Sequence, residues 1–141
     1  MGSCIFCDII EGKAEASMVY RDDRCCAFLD IYPASQGHVL VIPLQHAASM
    51  SELDGETGGH LLKVGMEIAA AIRRSDIKCE GINFHLADGR AAGQEIFHVH
   101  LHIIPRVAGD GFGFRFARGR AARPAKAELE GTAEMIRSAL P

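Results

Sequence analysis

His98-Val99-His100-Leu101-His102 is the stretch on which the fold and the chemistry of this chain turn. Successive side chains of a strand point to opposite faces. This alternation therefore sets three imidazoles on one side and Val99, Leu101 and Ile103 on the other. Three of the chain's seven histidines fall within five residues. A single strand histidine is usually structural, but three on one face would bury several polar groups, which is costly unless a site uses them. From spacing alone, a tri-histidine metal site is a serious reading, because neutral imidazole is a common zinc ligand.

The histidine strand is expected over 96–104, and the rest of the chain supplies its neighbours. Residues 37–43 form an apolar strand stopped by Pro43. Shorter strands are expected over 17–20 and 25–29, with Arg21-Asp22-Asp23-Arg24 as their turn, and another over 81–86. Between 53 and 74, Leu61, Leu62, Val64, Ile68 and Ile72 recur at helical spacing. A short helix or turn is expected over 4–10 and a terminal helix over 124–140, with Pro124 near its start. Strands outnumber helices and follow one another closely. The expected class is α+β, with a mainly antiparallel five-stranded sheet, one long helix and a C-terminal helix.

At 141 residues the chain fits one domain, its core at about 4–106 and an extension over 107–141. A net charge of −3 argues against a surface that coats nucleic acid. No apolar run reaches the roughly 18–20 residues that span a bilayer, and the first residues lack the pattern of a secretory signal. Neither nucleic acid nor membrane is an expected partner, and the cytoplasm is the expected location. Five cysteines without an export signal make a disulfide framework improbable.

The context of the histidines is more specific than their spacing. Gly93-Gln94 precedes them, Ile104-Pro105-Arg106 follows, and Asp30-Ile31-Tyr32-Pro33 and Gly37-His38 through Pro43 and His46 lie upstream. From Cys4 to Arg106 the chain resembles the histidine-triad (HIT) family. The resemblance implies a nucleotide hydrolase or transferase in which His100 attacks phosphorus and forms a covalent nucleotidyl intermediate. His102, the Gln94 amide and the backbone of the Gly93 loop would stabilise the developing charge. Asp30 would bind the ribose hydroxyls, and Ile5, Phe6, Ile9, Phe28 and Ile31 would line the base pocket, purines being the expected bases. A homodimer is implied as well. Alternatives are diadenosine polyphosphate hydrolysis, or a nucleotide- or zinc-binding interaction module with little turnover. In one branch of the family an Asn stands where this chain has Ala87, and a Ser where it has Glu95. One phosphate contact is thereby put in doubt, and Glu95 is expected to point away.

Cys4-x-x-Cys7 has the spacing of a zinc half-site. The resemblance to several bacterial members implies that His46 and His98 complete a structural zinc site. His38, His60 and His85 are alternatives if His98 only forms a hydrogen bond. Near the end, Gly109-Asp110-Gly111-Phe112-Gly113-Phe114-Arg115-Phe116 interleaves aromatic residues with Gly and Arg. It is expected to be a turn leading to an extended edge near the site. The basic residues Arg115, Arg118, Arg120 and Arg123 suit a solvated loop or a small anion.

Overall fold

The computed structural model describes residues 3–113 and 123–141; Phe114, Arg115, Phe116, Arg118 and Arg120 of the tail lie outside them. The chain divides into two compact units, Met1–Gly111 and Phe112–Pro141. Among its described residues the second holds one helix, α3 (Lys126–Ala139), on which Arg137 pairs with Glu130 and Glu134. No helix among the described residues is long and apolar enough to cross a membrane.

The first unit runs α1 (Ile5–Ile10), β1 (Met18–Arg21), β2 (Cys25–Leu29), β3 (Val39–Pro43), α2 (Gly55–Arg74), β4 (Gly81–His85) and β5 (Leu101–Arg106). Its five strands form one antiparallel sheet in the order β1-β2-β3-β5-β4, as the pattern of short successive strands requires.

The central strands β2 and β3 divide their side chains between two cores. Cys25, Ala27, Val39, Val41, Val99, Leu101 and Ile103 pack against Leu61, Val64, Ile68, Ala69 and Ile72 of α2. Cys26, Phe28, Leu40 and Ile42 face the other way and are covered by Phe6, Ile9 and Ile10 of α1. The histidines share that second face. The helix α2 is capped by Asp54, whose carboxylate accepts from the Thr57 amide at 2.8 Å, and its last turn carries Arg73 and Arg74. At six residues, α1 is too short to hold itself and depends on tertiary contacts.

The histidine strand starts later than its alternation suggests, at Leu101 and not at 96, and it runs on to Arg106. The cause is Pro43. Continuing the β3–β5 register, in which Val41 faces Leu101 and Leu40 faces His102, would set Pro43 opposite Val99. Proline has no N–H for the ladder. The Val99 amide instead donates to the Ala47 carbonyl at 2.8 Å. His98 and His100 therefore lie just before β5, the chain bending at His98.

The hairpin between β1 and β2 is tied to α2 through Asp22. Its Oδ1 accepts from the Arg24 and Cys25 amides, each at 2.8 Å, and its Oδ2 from Tyr20 at 2.8 Å and His60 Nε2 at 2.6 Å. Burial works to raise the pKa of this carboxyl. The His60 bond, then the two amides and Tyr20, outweigh it and hold the group well below the usual carboxylate range.

One glycine sets how closely α2 approaches the strand that carries the site. A Cβ on Gly65 would lie 2.9 Å from Ile103 Cδ1 and 3.2 Å from Leu101 Cδ2. Gly65→Val should overpack this contact and cost about 1–3 kcal/mol, measured as a lower denaturation midpoint. An unchanged midpoint would show that the close approach is not a packing constraint.

Candidate functional site

Each imidazole of the triad meets different surroundings, and these fix its proton. His98 is fully buried, and its Nε2–H donates to the Pro43 carbonyl at 2.8 Å. Its Nδ1 is therefore bare. His100 does the reverse: its Nδ1–H donates to the His98 backbone carbonyl at 2.7 Å, leaving Nε2 with a free lone pair. Phe6 packs edge-on against both rings, at centroid distances of 5.8 and 5.3 Å.

The tautomer of His102 follows from a residue outside the triad. The Ala34 amide donates to His38 Nδ1 at 3.0 Å, so the proton of neutral His38 is on Nε2. That nitrogen lies 2.8 Å from His102 Nδ1 and 3.5 Å from Asp30 Oδ2. His102 thus accepts at Nδ1 and carries its own proton on Nε2. Burial, then the neighbouring His100, His38 and His85, push the His102 pKa down to about 3. Burial also lowers His38, against a smaller upward pull from Asp30. Both are neutral hydrogen-bonding groups near pH 7. Gly37 makes the approach of His38 possible. It has φ +89, and a Cβ there would meet Ile77 at 3.1 Å and Pro105 at 3.3 Å.

The structure brings Cys4, Cys7, His46 and His98 together, their donor atoms all within 4.8 Å of one another. His98 Nδ1 is 3.4 Å from Cys4 Sγ, 3.6 Å from Cys7 Sγ and 3.2 Å from His46 Nδ1, and Cys7 Sγ is 3.4 Å from His46 Nδ1. A tetrahedral zinc with bonds of about 2.3 Å to sulfur and 2.0–2.1 Å to nitrogen has ligand–ligand edges of about 3.3–3.8 Å. The donor chemistry fits as well. His98 Nδ1 has no proton to offer, and without a cation burial and the adjacent Cys4 push the Cys7 thiol up to about 11. The Pro43 carbonyl on the far nitrogen of His98 is the outer-shell partner that a metal-bound imidazole ordinarily has. His60 is held by Asp22, and His38 by Ala34 and His102. The three triad nitrogens do not converge on one point among the described residues, so the tri-histidine metal reading has no geometric support.

The remaining residues expected at the site lie in several different settings. The Gln94 side chain is buried and fully engaged: Oε1 accepts from the Gly89 amide at 2.8 Å, and Nε2 donates to the Ala48 and Ile96 carbonyls at 2.8 and 3.1 Å. The Gly93 and Gln94 amides donate to Arg90 and Gly89 within the same turn. This pair braces the loop before the triad. Asp30 Oδ1 accepts from the Tyr32 amide at 2.9 Å, while Oδ2 faces His38. Phe6 and Phe28 are core residues in an edge-on pair at 5.4 Å. Ile9 is half-buried, whereas Ile5 and Ile31 are exposed and open to a ligand. Ala87 is buried and Glu95 is exposed. His38 is the residue whose part spacing concealed, because its partner lies 64 positions away.

The HIT domain model matches residues 11–109. The chain belongs to the HIT family. An HIT-like protein of Borreliella burgdorferi is 46% identical over 116 residues, covering 82% of this chain and 84% of that protein. A crystal structure described as a Zn-bound histidine triad family protein from Mycobacterium smegmatis superposes with a TM-score of 0.76 at 37% identity, covering 98% of each chain. A histidine triad nucleotide-binding protein from Candida albicans superposes with a TM-score of 0.85 at 28% identity, covering 96% of each.

Nitrogen-15 NMR of the imidazoles reads these protons directly. His100 should show Nδ1–H, and His38 and His102 should show Nε2–H at pH 7. His38→Phe should release His102 to a tautomer mixture. A His102 already protonated on Nδ1 in the wild type would break the chain of donors drawn from Ala34.

Proposed function

We propose that this HIT protein cleaves a nucleoside monophosphate from its leaving group through a covalent nucleotidyl-His100. The observation that carries the reading is the 2.7 Å bond from His100 Nδ1–H to the His98 carbonyl, which leaves Nε2 unprotonated at a fixed position. In the first step Nε2 attacks phosphorus, the bond to the leaving group breaks, and the leaving group departs with a proton taken from solvent. In the second, water attacks the same phosphorus, the P–Nε2 bond breaks, the water releases a proton to solvent and the nucleotide departs. His102, neutral with its proton on Nε2, donates to the phosphoryl oxygens as negative charge grows there. Asp30 Oδ2 is the acceptor proposed for the ribose diol, and the exposed Ile5 and Ile31 are proposed to flank the base. The nucleotide-binding description of the Candida albicans relative supports this class of ligand. On the resemblance alone, the proposal extends to purine bases and to a homodimer, which light scattering tests.

Intact-protein mass after rapid, acid-free quenching with adenosine 5′-phosphoramidate should show one transient nucleotidyl adduct on the wild type. A folded His100→Ala should show none and lose at least about 10³-fold in turnover. Equal turnover by both proteins would sink the mechanism. Tight nucleotide binding with no turnover by either would leave a binding protein.

Zinc is proposed at Cys4, Cys7, His46 and His98. The Zn-bound Mycobacterium smegmatis relative and the donor distances support it. With four protein donors the ion would be structural, fastening α1 to the approach of β5. Elemental analysis should find about one zinc per chain, and Cys4→Ala or strong chelation should lower the melting temperature by several degrees. A metal-free protein with the same melting temperature would remove zinc from the account.

A further inference from the structure

The two cysteines of the cluster are also a pair in their own right. Cys4 is the N-cap of α1, with extended backbone, and Cys7 follows within the six residues of the helix. Both are half-buried, and their sulfurs lie within 4.8 Å of each other. Because Cys4 stands outside the helical turn, its sulfur can swing onto that of Cys7 with α1 still wound. Cys25 and Cys26 are fully buried, and the Cys79 thiol donates to the Gly81 carbonyl at 3.3 Å. The cluster runs from the exposed His46 to the fully buried His98, so an oxidant in solution reaches it from the His46 side.

Between these cysteines stands Phe6, the one buried residue of α1. Its ring lies edge-on to Phe28 at 5.4 Å, to His98 at 5.8 Å and to His100 at 5.3 Å. A helix of six residues does not hold itself, so Phe6 keeps its place only while α1 stays seated. One buried Phe, with Ile9 and Ile10 half-buried beside it, is a small anchor. A metal ion on the cluster would add a second anchor, joining Cys4 and Cys7 of this segment to His46 and His98 outside it. What the two sulfurs are bonded to therefore bears on a ring that touches the nucleophile.

Resting on the zinc and the reaction proposed above, we propose that Cys4 and Cys7 form a peroxide-sensitive switch. Their oxidation to a disulfide releases zinc, loosens α1 and slows nucleotidyl transfer to His100. The oxidant is hydrogen peroxide. One thiolate attacks a peroxide oxygen, becoming a sulfenic acid and releasing hydroxide. The other thiolate displaces hydroxide from that sulfur and closes the S–S bond. The sulfurs give up two electrons, the peroxide takes them, and two protons from solvent turn the two hydroxides into water. A disulfide has no thiolate to offer a metal. Only His46 and His98 then remain as donors, and neither belongs to α1.

The test treats zinc-loaded wild type with hydrogen peroxide. It reads zinc release with a chromophoric chelator, intact mass with peptide mapping, melting temperature, and nucleotidyl transfer from adenosine 5′-phosphoramidate. One zinc should be released per disulfide, with a loss of about 2 Da that mapping places at Cys4 and Cys7. The melting temperature should fall by several degrees, and adduct formation should slow about tenfold or more. Dithiothreitol with zinc should restore all of these. Cys79→Ser should respond as the wild type does. Cys7→His, which keeps four donors but not the sulfur pair, should turn over equally before and after peroxide. Zinc retained by the oxidised protein, a disulfide elsewhere, or sulfurs that gain oxygen without bonding would overturn the proposal. So would a mapped disulfide and released zinc with adduct formation unchanged. If Cys7→His fails to fold, mapping of the wild type decides alone. If the untreated protein holds no zinc, that reading fails by itself, and the disulfide with its melting shift still decides the switch. If it forms no adduct, AMP binding before and after peroxide takes the place of turnover.

Discussion

The bond from His100 Nδ1–H to the His98 carbonyl is the constraint around which this molecule is organised. It joins a side chain to the backbone two residues earlier, on the stretch that precedes the ladder of β5. Pro43 keeps that stretch out of the ladder by withholding an N–H opposite Val99. The Ala47 carbonyl then holds the Val99 amide, and the Pro43 carbonyl takes the His98 imidazole. One proline thus ends one strand, delays the next and supplies the acceptor that fixes His98.

His98 connects two sites without mixing them. Its backbone oxygen accepts from His100, and its Nδ1 belongs to the cysteine–histidine cluster. The same cysteines flank Phe6, whose ring packs on His98 and His100. Because α1 is a helix of six residues, its hold on the sheet depends on what Cys4 and Cys7 are attached to. Phe6 packs both in the core that Cys4 borders and on the His100 ring, so the cluster and that ring share one packing partner.

What could be seen in the sequence was whatever has a local period. The 3.6-residue pattern of α2, the apolar run of β3 and the alternation about His100 each marked an element and a face. The start of β5 could not be seen, because it depends on Pro43, 56 positions before Val99 by residue number. His38 could be suspected only as a spare ligand, since its bond to His102 crosses from β3 to β5. The partners of Gln94 could not be seen either: its amide is engaged by Gly89 and Ile96 of its own loop and by Ala48, 46 positions earlier. Phe6 and Phe28 were visible as apolar residues near the site, but only burial shows that they support the histidines while Ile5 and Ile31 face outward.

The electrostatics of the site suit a nucleophilic nitrogen better than a cationic clamp would. A Lys or Arg beside His100 would bind an anionic substrate tightly in the ground state, with no necessary gain in the transition state. Here the neighbours are imidazoles kept neutral by burial, His102 most strongly, with its pKa near 3. In the proposed reaction, neutral N–H groups held in place would offer dipoles where charge develops, with no reorganisation. Their protons are assigned by acceptors that cannot change: a main-chain amide at Ala34 and main-chain carbonyls at Pro43 and His98. Backbone groups do not titrate, so the pattern of donors and lone pairs holds across the pH range in which the imidazoles stay neutral. His100 alone is left with an unshared pair facing out of this scaffold, and that asymmetry among three identical side chains is what the fold builds.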